Sequence, residues 1–299
     1  MHKHSHLNVL QFKMNTVTSE IYKETNFQPI KSTNGKVVSK FQFRYPSDET
    51  TAANTCPLLD KDGDIVVKRR NRQNFDLGII EIEHSEATEL RLVGLQVWRG
   101  ALLLADFCFH KRHEFVNKQI LELGAGVGLT SIAAAIYVPK VFCTDVDMGG
   151  ILPLIQANIC RNQKLLQLRG QINVLECDFK MPFAQYSQEL IKAIDESDVV
   201  VAADVIYDDD LTDAFIQVLD NIFAREIVTR HKKNIYIALE KRYVFTVSEL
   251  EAVAPMFEYF LKKSVHKRWR FDYIHTDFPQ YFQYERCKHL ILLEITNSG

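Results

Sequence analysis

The sequence predicts an α/β fold with a mostly parallel, doubly wound sheet, and three observations support this prediction. From about Leu77 onward, short apolar runs of strand length alternate with segments of helix length. A glycine-rich turn at 124–128 joins the first of these strands to an alanine-rich helix. The run Asp198–Ala203 is apolar at nearly every position, which is typical of strands in a parallel sheet with helices on both faces.

The elements follow one another in a regular order. The predicted strands are Gln119–Leu123, Val141–Thr144, Ile172–Glu176, Asp198–Ala203 and Asn234–Glu240. The predicted helices are Leu92–Phe109, Gly128–Tyr137, Gly150–Asn162, Leu211–Arg225 and about Phe245–Lys262. Helices of this length return the chain between neighbouring parallel strands. Two β-like runs, near Tyr281–Tyr284 and Lys288–Ile295, are expected to pair and to place an antiparallel strand at one edge of the sheet.

Composition narrows the class of protein. Hydrophobic residues make up 46% and charged residues 25% of the 299 positions, which excludes a collagen-like, coiled-coil or wholly disordered chain. Lys and Arg number 36 against 38 Asp and Glu, a formal charge of -2. A chain so near neutrality has no global field to hold DNA or an anionic membrane, so we expect neither as a direct partner.

The sequence also predicts an intracellular, reduced protein. We find no apolar run of the roughly 18 residues that a membrane helix needs, and residues 1–15 lack the apolar core of a secretory signal. The 6 cysteines occur singly, without a C-x-x-C pair for zinc or redox chemistry. Four of them lie in apolar or strand-like stretches, where we expect buried thiols: Cys108, Cys143, Cys160 and Cys177.

Residues 1–76 differ from the rest and are predicted to be a partly disordered extension, with the folded domain at 77–299. Within this extension, Phe41–Tyr45 alternates as an isolated strand would. The acidic run Asp60–Asp64 lacks the glycine at position six and the glutamate at position twelve of an EF-hand loop, which favours an exposed turn. The basic run Lys68–Arg72 is compatible with a nuclear import signal, but such runs are also common on loops.

The central motif is a glycine loop, ILELGAGVGL at 120–129, which closes the first strand and opens the alanine-rich helix. Glycine is required at Gly124, Gly126 and Gly128 because a side chain would keep the backbone away from a bound nucleoside. A dinucleotide loop is usually G-x-G-x-x-G around a pyrophosphate. Here the third glycine comes one position early and Glu122 precedes the loop. S-adenosylmethionine, which has no phosphate, therefore fits this loop better.

An acid stands at the end of the second strand. Thr144-Asp145 follows the glycine loop by about twenty residues, and in dinucleotide sites an acid at this place accepts hydrogen bonds from the ribose hydroxyls. Asp147 follows closely, and one interpretation of it is the N-cap of the next helix. Strand, loop, helix and acid together indicate a nucleoside cofactor, and a tight turn without a ligand is the alternative.

These motifs resemble a known family. ELGAGVG at 122–128, TD at 144–145 and ADVIY at 203–207 resemble a class I, seven-β-strand methyltransferase with a Rossmann-like sheet. More narrowly, the chain resembles the family-16 methyltransferases, which are mostly protein-lysine enzymes. The stretches that carry this narrower resemblance are QVWRGALLLADF at 96–107, CTDV at 143–146, DVIYDDDLTDA at 204–214, EKR at 240–242 and DGDIVVKRR at 62–70.

The resemblance covers the chain from about Ile79 to the C-terminus and implies a function. It implies S-adenosylmethionine as cofactor and transfer of a methyl group to the ε-amine of a lysine in a protein substrate. It also suggests a nuclear or chaperone-associated substrate, and thus a protein of the nucleus and/or cytoplasm.

By the resemblance, one set of residues forms the cofactor site: Trp98, Glu122, Gly124, Ala125, Gly126, Gly128, Asp145, Asp178, Phe179 and Ala203. The family usually has Trp where this chain has Phe179, and Phe keeps an apolar face for adenine but lacks the indole N–H. Asp178 either accepts from the adenine amino group or caps its own loop. Trp98 either lines the site or anchors the start of a helix in the core.

The resemblance also assigns the methyl-transfer residues, Asp204 and Tyr207, in the D-x-x-Y that family members carry here. A lysine ammonium, with a pKa near 10.4, must lose its proton before it attacks, and desolvation in an aromatic slot favours the neutral amine. A carboxylate favours the charged form, so Asp204 is assigned to orienting the amine. Tyr207 is assigned to the slot wall, which Trp98 shares through a cation–π contact. Glu240 and Arg242 either face the substrate or form a surface ion pair.

Other interpretations of the same residues stay open. Base-methylating enzymes typically carry Asn/Asp-Pro-Pro-Tyr where this chain has DVIY, which disfavours a nucleic-acid methyltransferase. The run Asp208–Asp210 favours an exposed loop over a metal site, and Lys262–Arg270 favours a solvated helix end with one buried Trp over base stacking. The histidines at 2, 4 and 6 favour a disordered tail, so no metal site is predicted. A catalytically silent adaptor with this fold and a small-molecule methyltransferase are the remaining alternatives.

Overall fold

A seven-stranded sheet forms the centre of the protein. The computed structural model describes residues 16–24, 29–32, 35–47, 76–166, 170–242, 244–245 and 252–298. In chain order the strands are β1 Thr16–Val17, β2 Ile30–Lys31, β3 Val37–Arg44, β4 Leu77–His84, β5 Thr88–Glu89, β6 Gln119–Leu123, β7 Lys140–Asp145, β8 Gln171–Glu176, β9 Val199–Ala203, β10 Asn234–Glu240, β11 Val244–Phe245, β12 Ala252–Val253, β13 Trp269–Ile274 and β14 Leu290–Asn297. The α-helices are α1 Arg99–His110, α2 Arg112–Phe115, α3 Leu129–Ala134, α4 Ile151–Arg161, α5 Gln163–Leu166, α6 Gln188–Glu196, α7 Asp209–Thr229 and α8 Pro255–Ser264. Short 3₁₀ turns cover Glu20–Lys23, Leu90–Leu95 and Phe183–Gln185.

The order of strands in the central sheet is β13-β14-β10-β9-β6-β7-β8. The strands β10, β9, β6, β7 and β8 are parallel, and β14 is antiparallel to both β10 and β13. The predicted fold class, an α/β, mostly parallel, seven-stranded sheet of the Rossmann-like type, is therefore confirmed. The chain reverses its direction of travel across the sheet between β6 and β9. Ligands of such sheets bind at this point, outside the carboxyl ends of the strands.

Apolar side chains of neighbouring residues pack on opposite faces of the sheet. In β6, Ile120 belongs to a core that also contains Leu103 and Phe107 of α1. Its neighbour Leu121 belongs to a second core, with Phe215 of α7. Because helices cover both faces, these strands have continuous apolar sequences rather than alternating ones.

The pairing predicted for the C-terminal region is wrong. The partner of β14 is β13, in register from Trp269↔Asn297 to Ile274↔Leu292, whereas Tyr281–Tyr284 forms no strand and makes a single bridge to β3. The reason lies in α1, where the buried Asp106 carboxylate accepts the N–H groups of Tyr281 and Phe282 at 2.8 and 2.9 Å. These N–H groups are therefore not available to a neighbouring strand.

The helix predicted at Leu92–Phe109 begins only at Arg99. Gln96 is extended, with φ -113° and ψ 165°, and separates the 3₁₀ turn from α1. The Val97 N–H donates to the Tyr22 hydroxyl at 2.8 Å instead of to a helical turn, and Trp98 is the residue that precedes the helix.

The segment Leu90–His110 is nevertheless long and apolar enough, by length and composition, to cross a membrane. No membrane-length apolar run was predicted here from the sequence. In the protein, 72% of that apolar window is buried, and Leu102–Leu104 lie in the core. The interior of the fold accounts for the apolar character of this segment.

The helix predicted at about Phe245–Lys262 is also shorter than expected. Val244–Phe245 pairs with Ala252–Val253, and α8 starts at Pro255, its first helical position. Proline has no N–H and is tolerated in the first turn of a helix but not in its interior. The proline therefore sets the start of α8.

The strand predicted at Phe41–Tyr45 is not isolated. β3 pairs with β2 and, over eight residues, with β4. This three-stranded sheet is attached to α4, where the side-chain amides of Asn158 and Asn162 donate to the carbonyls of Glu83 and Glu81 at 3.0 and 2.7 Å. The division of the chain at residues 76 and 77 stays a prediction.

Two sets of sequence predictions remain. Of the cysteines predicted to be buried, Cys108, Cys143 and Cys177 are buried, but Cys160 is exposed because it lies on the outer face of α4. The predictions for Asp60–Asp64, for the basic run at 68–72 and for the three N-terminal histidines lie outside the described residues.

Candidate active site

A cleft opens at the carboxyl ends of β6, β7 and β9. Its empty volume is about 960 Å³, including the open mouth. Its lining includes most of the residues that the sequence analysis selected: Trp98, Glu122, Gly124, Ala125, Gly126, Asp145, Asp178, Phe179, Ala203, Asp204 and Tyr207. A second part of the lining, Arg91–Trp98, is here called the cleft wall. Gly128, Glu240 and Arg242 do not belong to the lining described.

The glycine loop, Gly124–Gly128, needs glycine because of the protein itself. Gly124, Gly126 and Gly128 have φ of 65°, 58° and 86°, a region that favours glycine. A Cβ on Gly126 would lie 2.9 Å from the Gly94 carbonyl oxygen, and one on Gly124 would lie 2.6 Å from Val205. The sequence analysis attributed the glycines to a bound nucleoside, but close packing inside the protein already requires them.

Asp145 faces the glycine loop from the end of β7. One carboxylate oxygen accepts a hydrogen bond from the Gly126 N–H at 2.7 Å, and the other accepts from the Val146 N–H at 2.8 Å. Each oxygen retains another acceptor position, so the carboxylate can also receive two hydroxyl groups. Burial raises the pKa of Asp145 to about 6, because a desolvated carboxylate is less stable in its charged form.

Glu122 lies behind the loop and is 1% exposed. Its carboxylate accepts a hydrogen bond from the Ser131 hydroxyl at the start of α3. Burial raises the pKa of Glu122 to about 7, although that hydrogen bond opposes the shift. Glu122 therefore connects the end of β6 to α3 and supports the loop from within.

The loop after β8 supplies Asp178 and Phe179. The Asp178 carboxylate accepts from the Lys180 N–H at 2.9 Å, so it caps its own loop while it also lines the cleft. Phe179 packs on Phe215, with 5.4 Å between ring centroids. An added Cβ on Gly124 would lie 3.5 Å from the Phe179 ring, so an apolar face stands beside the glycine loop.

Asp204 connects two distant elements. One carboxylate oxygen accepts from the Gly100 N–H of α1 at 2.7 Å, and the other accepts from the Glu240 N–H of β10 at 2.9 Å. Its backbone has φ 51°, a strained conformation that is uncommon outside glycine. Burial raises the pKa of Asp204, and the positive charge of Arg242 opposes that increase. The carboxylate predicted to orient an amine is thus already held by two backbone N–H groups.

Trp98 and Tyr207 supply the aromatic surfaces near Asp204. The Trp98 indole N–H donates to the Val93 carbonyl at 2.9 Å, which fixes the ring as part of the cleft wall. The Arg242 guanidinium lies 4.5 Å from the centroid of that ring. Burial and the charges of Asp145 and Asp208 raise the pKa of Tyr207 to about 12, so its phenol stays protonated.

Glu240 forms an ion pair, but not with the basic residues that follow it. Its carboxylate accepts from Arg99 at 2.9 Å, and Arg99 also pairs with Glu24 at 3.1 Å. Lys241 lies 4.5 Å from the Phe257 ring centroid. The predicted surface ion pair between Glu240 and the bases beside it is therefore not formed, because Glu240 pairs instead with the largely buried Arg99 of α1.

The acidic run Asp208–Asp210 starts α7. Asp208 is the N-cap and accepts from the Leu211 N–H at 3.0 Å, and two exposed acids occupy the first turn. Acids at these positions stabilise a helix N-terminus, which is why α7 begins before the predicted Leu211. Within the ranges that the structure describes, we find no group of His, Cys, Asp and Glu that could hold a metal ion.

The sequence analysis did not identify most of the cleft wall. Gly94 and Gln96 approach the glycine loop, since a Cβ on Gly126 would lie 3.7 Å from the Gln96 carbonyl oxygen. The only local signal was a glycine inside an apparent helix, which often marks a close approach of the backbone.

The fold and the cleft define a class I methyltransferase: five parallel strands, a glycine loop after the first of them, and an acid at the end of the second. Residues 75–253 match the family described as lysine methyltransferase, and the chain belongs to this family. Methyltransferase-like protein 22 of Homo sapiens is 37% identical over 256 residues, which are 80% of this chain and 62% of that protein.

Further relatives agree with this assignment. Methyltransferase-like protein 22 of Mus musculus is 36% identical, over 80% of this chain and 64% of that protein, so the chain spans less than two thirds of either relative. Protein-lysine methyltransferase METTL21E of Mus musculus is 26% identical over 60% of this chain and 70% of that protein.

S-adenosylmethionine is the methyl donor of class I methyltransferases, and the residues of the cleft fit it. Asp145 keeps acceptor positions for ribose hydroxyls, and Phe179 offers an apolar face for adenine. The glycine loop leaves backbone exposed between them. Trp98, Tyr207 and Asp204 line the same cleft. When bound, S-adenosylmethionine supplies a methyl group on a positively charged sulfur.

Proposed function

We propose that this chain is an S-adenosylmethionine-dependent protein-lysine N-methyltransferase, which modifies the ε-amine of a lysine in a partner protein. The observation that carries the proposal is that Asp204 and Tyr207 line the same cleft as the glycine loop and Asp145. The residues that would receive an amine thus stand beside those that would hold the methyl donor. Membership of the lysine methyltransferase family supports the choice of acceptor.

The reaction requires a neutral amine that points at the methyl group. Trp98 and the half-buried Tyr207 remove water from the incoming side chain, which favours loss of its proton. Asp204 has one acceptor position left on each carboxylate oxygen after its two backbone bonds, and it can orient the amine through one of them. Arg242 faces Trp98 and partly offsets the carboxylate charge, so Asp204 stabilises the ammonium less than an unpaired acid would.

A nucleic-acid substrate has little support from the surface. In the basic run at 262–270, Lys263 pairs with Asp213 at 2.9 Å, Lys267 pairs with Asp220, and Arg270 pairs with Asp272 at 2.7 Å. These positive charges are therefore neutralised within the protein. Trp269 is half-buried in β13, with its ring centroid 5.6 Å from that of Phe223.

Transfer of labelled methyl from S-adenosylmethionine into an extract of cells that lack this protein tests the proposal. We expect a discrete band that mass spectrometry maps to a methylated lysine. Tyr207→Ala should abolish this band, because it removes one wall of the slot. Tyr273→Ala, at a residue 57% exposed on β13, is the matched control and should leave the band unchanged.

The outcome also separates the alternatives. Absence of a labelled protein, although the chain binds adenosylhomocysteine, would overturn the proposal in favour of a non-protein acceptor or a silent adaptor. Label in the nucleic-acid fraction would point to a base-methylating enzyme.

For the partner, we propose a nuclear or chaperone-associated protein and an intracellular setting in the nucleus and/or cytoplasm. The basic run Lys68–Arg72 and the resemblance of 62–70 to the family support this proposal. A fluorescent fusion of the chain should enter the nucleus, and replacement of the five residues of this run by Gln and Ser should reduce the nuclear signal. A fusion confined to another compartment would refute it.

A further inference from the structure

The segment Thr16–Glu24, here called the strap, lies outside residues 75–253, the part of the chain that matches the family, and yet it contacts the cleft wall. Its first residues form β1, which pairs with β5 through Thr16↔Glu89 and Val17↔Thr88. Its 3₁₀ turn inserts Ile21, which is 2% exposed, into the core of the domain. The strap is therefore an integral part of the fold.

The Gln96 side chain joins the strap to the wall. Gln96 is 2% exposed, and its amide oxygen accepts from the Ser19 N–H at 2.9 Å. Its amide nitrogen donates to the Val17 carbonyl at 2.9 Å and to the Thr88 hydroxyl at 2.7 Å. A buried side-chain amide with three such partners has one allowed orientation, so the strap fixes where Gln96 lies.

Two further contacts continue along the wall. The Tyr22 hydroxyl accepts from the Val97 N–H at 2.8 Å, and the Tyr22 ring stacks on His84 with 4.8 Å between centroids. The Glu24 carboxylate pairs with Arg99, the first residue of α1, at 3.1 Å. The strap therefore holds the wall at Gln96 and Val97, and it holds the start of α1 at Arg99.

The wall needs these partners because it is not regular structure at this point. Gln96 is extended between a 3₁₀ turn and α1, and the Val97 N–H donates to the Tyr22 hydroxyl rather than to a helical carbonyl. A buried N–H without a partner is costly. Without the strap, we expect the wall at 96–98 to lose its fixed position.

The wall in turn touches the groups that would bind the cofactor. A Cβ on Gly126 would lie 2.9 Å from the Gly94 carbonyl oxygen, and a Cβ on Gly94 would lie 3.9 Å from the Asp145 carboxylate. The Trp98 indole is tied to Val93 within the same wall. A shift of the wall would therefore reach the glycine loop, Asp145 and Trp98 together.

We propose that the strap is a positioning element for the methyl donor, which acts by holding the cleft wall against the glycine loop and Asp145. The inference rests on the proposed function only in taking an adenosyl compound as the ligand. According to this proposal, an N-terminal segment outside residues 75–253, which match the family, contributes to the affinity for the cofactor. The strap residues that contact the wall or the start of α1, namely Val17, Ser19, Tyr22 and Glu24, are positioning residues, since they act on the ligand through these contacts.

Calorimetric titration of the full chain with adenosylhomocysteine tests this proposal. Tyr22→Phe removes the acceptor of the Val97 N–H and keeps the ring on His84, and we expect its Kd to rise about fivefold, the effect of losing one buried hydrogen bond. Lys23→Gln is the matched control. Lys23 is exposed and pairs with Glu20, so this variant should bind adenosylhomocysteine with the same Kd as the wild type.

Hydrogen exchange separates a local change in the wall from a general loss of stability. The Val97 amide should exchange faster in Tyr22→Phe, while amides of β6 and β9 keep their protection. Deletion of residues 1–24 should weaken binding more than Tyr22→Phe does. If the deletion variant does not fold, the Kd values of Tyr22→Phe and Lys23→Gln decide whether the strap contributes to binding.

Two outcomes of the titration would overturn the proposal. Equal Kd values for wild type and Tyr22→Phe, with or without a change in melting temperature, would show that the strap is merely structural and would overturn the proposal. A wild-type chain that does not bind adenosylhomocysteine would refute the cofactor site itself, and the strap proposal with it. Failure to label a protein leaves this titration unaffected, so the two proposals can fail separately.

Discussion

The two halves of the cleft are built in different ways. The donor half, which contains the glycine loop and Asp145, is assembled from consecutive strands, and its hydrogen bond from Gly126 to Asp145 spans 19 positions of the chain. The transfer half is assembled around Asp204, whose carboxylate bonds to residues 104 and 36 positions away. The donor half therefore depends on local geometry, and the transfer half depends on the docking of α1 and β10.

The electrostatics of the two halves also differ. Burial raises the pKa of Asp145 and of Glu122 in the donor half, and the charge of Asp145 adds to the increase at Glu122. In the transfer half, Arg242 opposes the shift of Asp204. A donor half with two desolvated acids suits a cationic ligand, whereas the transfer half balances an acid against a base.

Asp204→Ala tests this contrast with the largest expected effect. The variant leaves two backbone N–H groups without their acceptor and places alanine at a positive φ, at a cost of about 2–4 kcal/mol in folding free energy. We expect a lower melting temperature and a loss of labelled methyl transfer of about a hundredfold or more. Titration with adenosylhomocysteine should give a Kd within a few-fold of the wild type.

The control for folding stability is Asp208→Ala, which removes the N-cap of α7 and a charge that acts on Tyr207, and which should cost about 1 kcal/mol. If Asp204→Ala lost adenosylhomocysteine binding to the same extent as it lost methyl transfer, this would contradict the separation of the two halves.

Gly126→Ala tests the donor half. The added Cβ would meet the Gly94 carbonyl oxygen at 2.9 Å, so the glycine loop and the cleft wall must move apart. We expect binding of adenosylhomocysteine to weaken by at least about tenfold, measured by calorimetry. Gly150→Ala is a matched control, because Gly150 also has a positive φ, of 77°, but nothing lies within 4 Å of its added Cβ.

Both glycine variants should therefore lose about 1 kcal/mol of stability through backbone strain. The binding loss should be confined to Gly126→Ala. An equal loss in both variants would mean that strain, and not the wall, controls the loop.

Much of the donor half could be predicted from the sequence, for a physical reason. Strand, loop, helix and acid follow one another along β6, α3 and β7, so their spacing already specifies their arrangement. The cleft wall could not be predicted in this way, because the partners of Gln96 in the strap are 77 and 79 positions away. The same limit applies to Tyr281–Tyr284, which alternates like a strand but gives its N–H groups to Asp106.

Glu122→Gln tests the electrostatic part of the comparison. The folded-state pKa of Glu122, about 7, is above its ordinary value of 4.5. The stability linked to its protonation is therefore present below about pH 4.5 and is lost as the pH rises through 7. The neutral glutamine avoids that loss. Melting curves should show that the variant gains stability relative to the wild type between pH 6 and pH 8, by up to about 3 kcal/mol.

Asp145 is expected to follow the same rule over a lower range, near pH 6. For Glu122→Gln against the wild type, the gain should be small at pH 4, which is below the ordinary glutamate pKa of 4.5. A difference in melting temperature that does not change with pH would contradict a buried, titrating Glu122.

Arg242 offers the smallest and most specific test, because it is exposed and acts on the transfer half through space. Its guanidinium lies 4.5 Å from the Trp98 ring centroid, and it opposes the raised pKa of Asp204. A positive charge at this place also makes an incoming lysine easier to deprotonate. Arg242→Gln should therefore shift the pH profile of methyl transfer to higher pH and slow transfer at pH 7.5 by about twofold to fivefold, as expected for an exposed cation–π and charge effect.

The control is Arg242→Lys, which keeps the charge and should restore most of the rate. Adenosylhomocysteine binding should stay constant in both variants. A Gln variant with an unshifted pH profile would show that Arg242 only covers the Trp98 ring, and that desolvation by Trp98 and Tyr207 is sufficient to give the neutral amine.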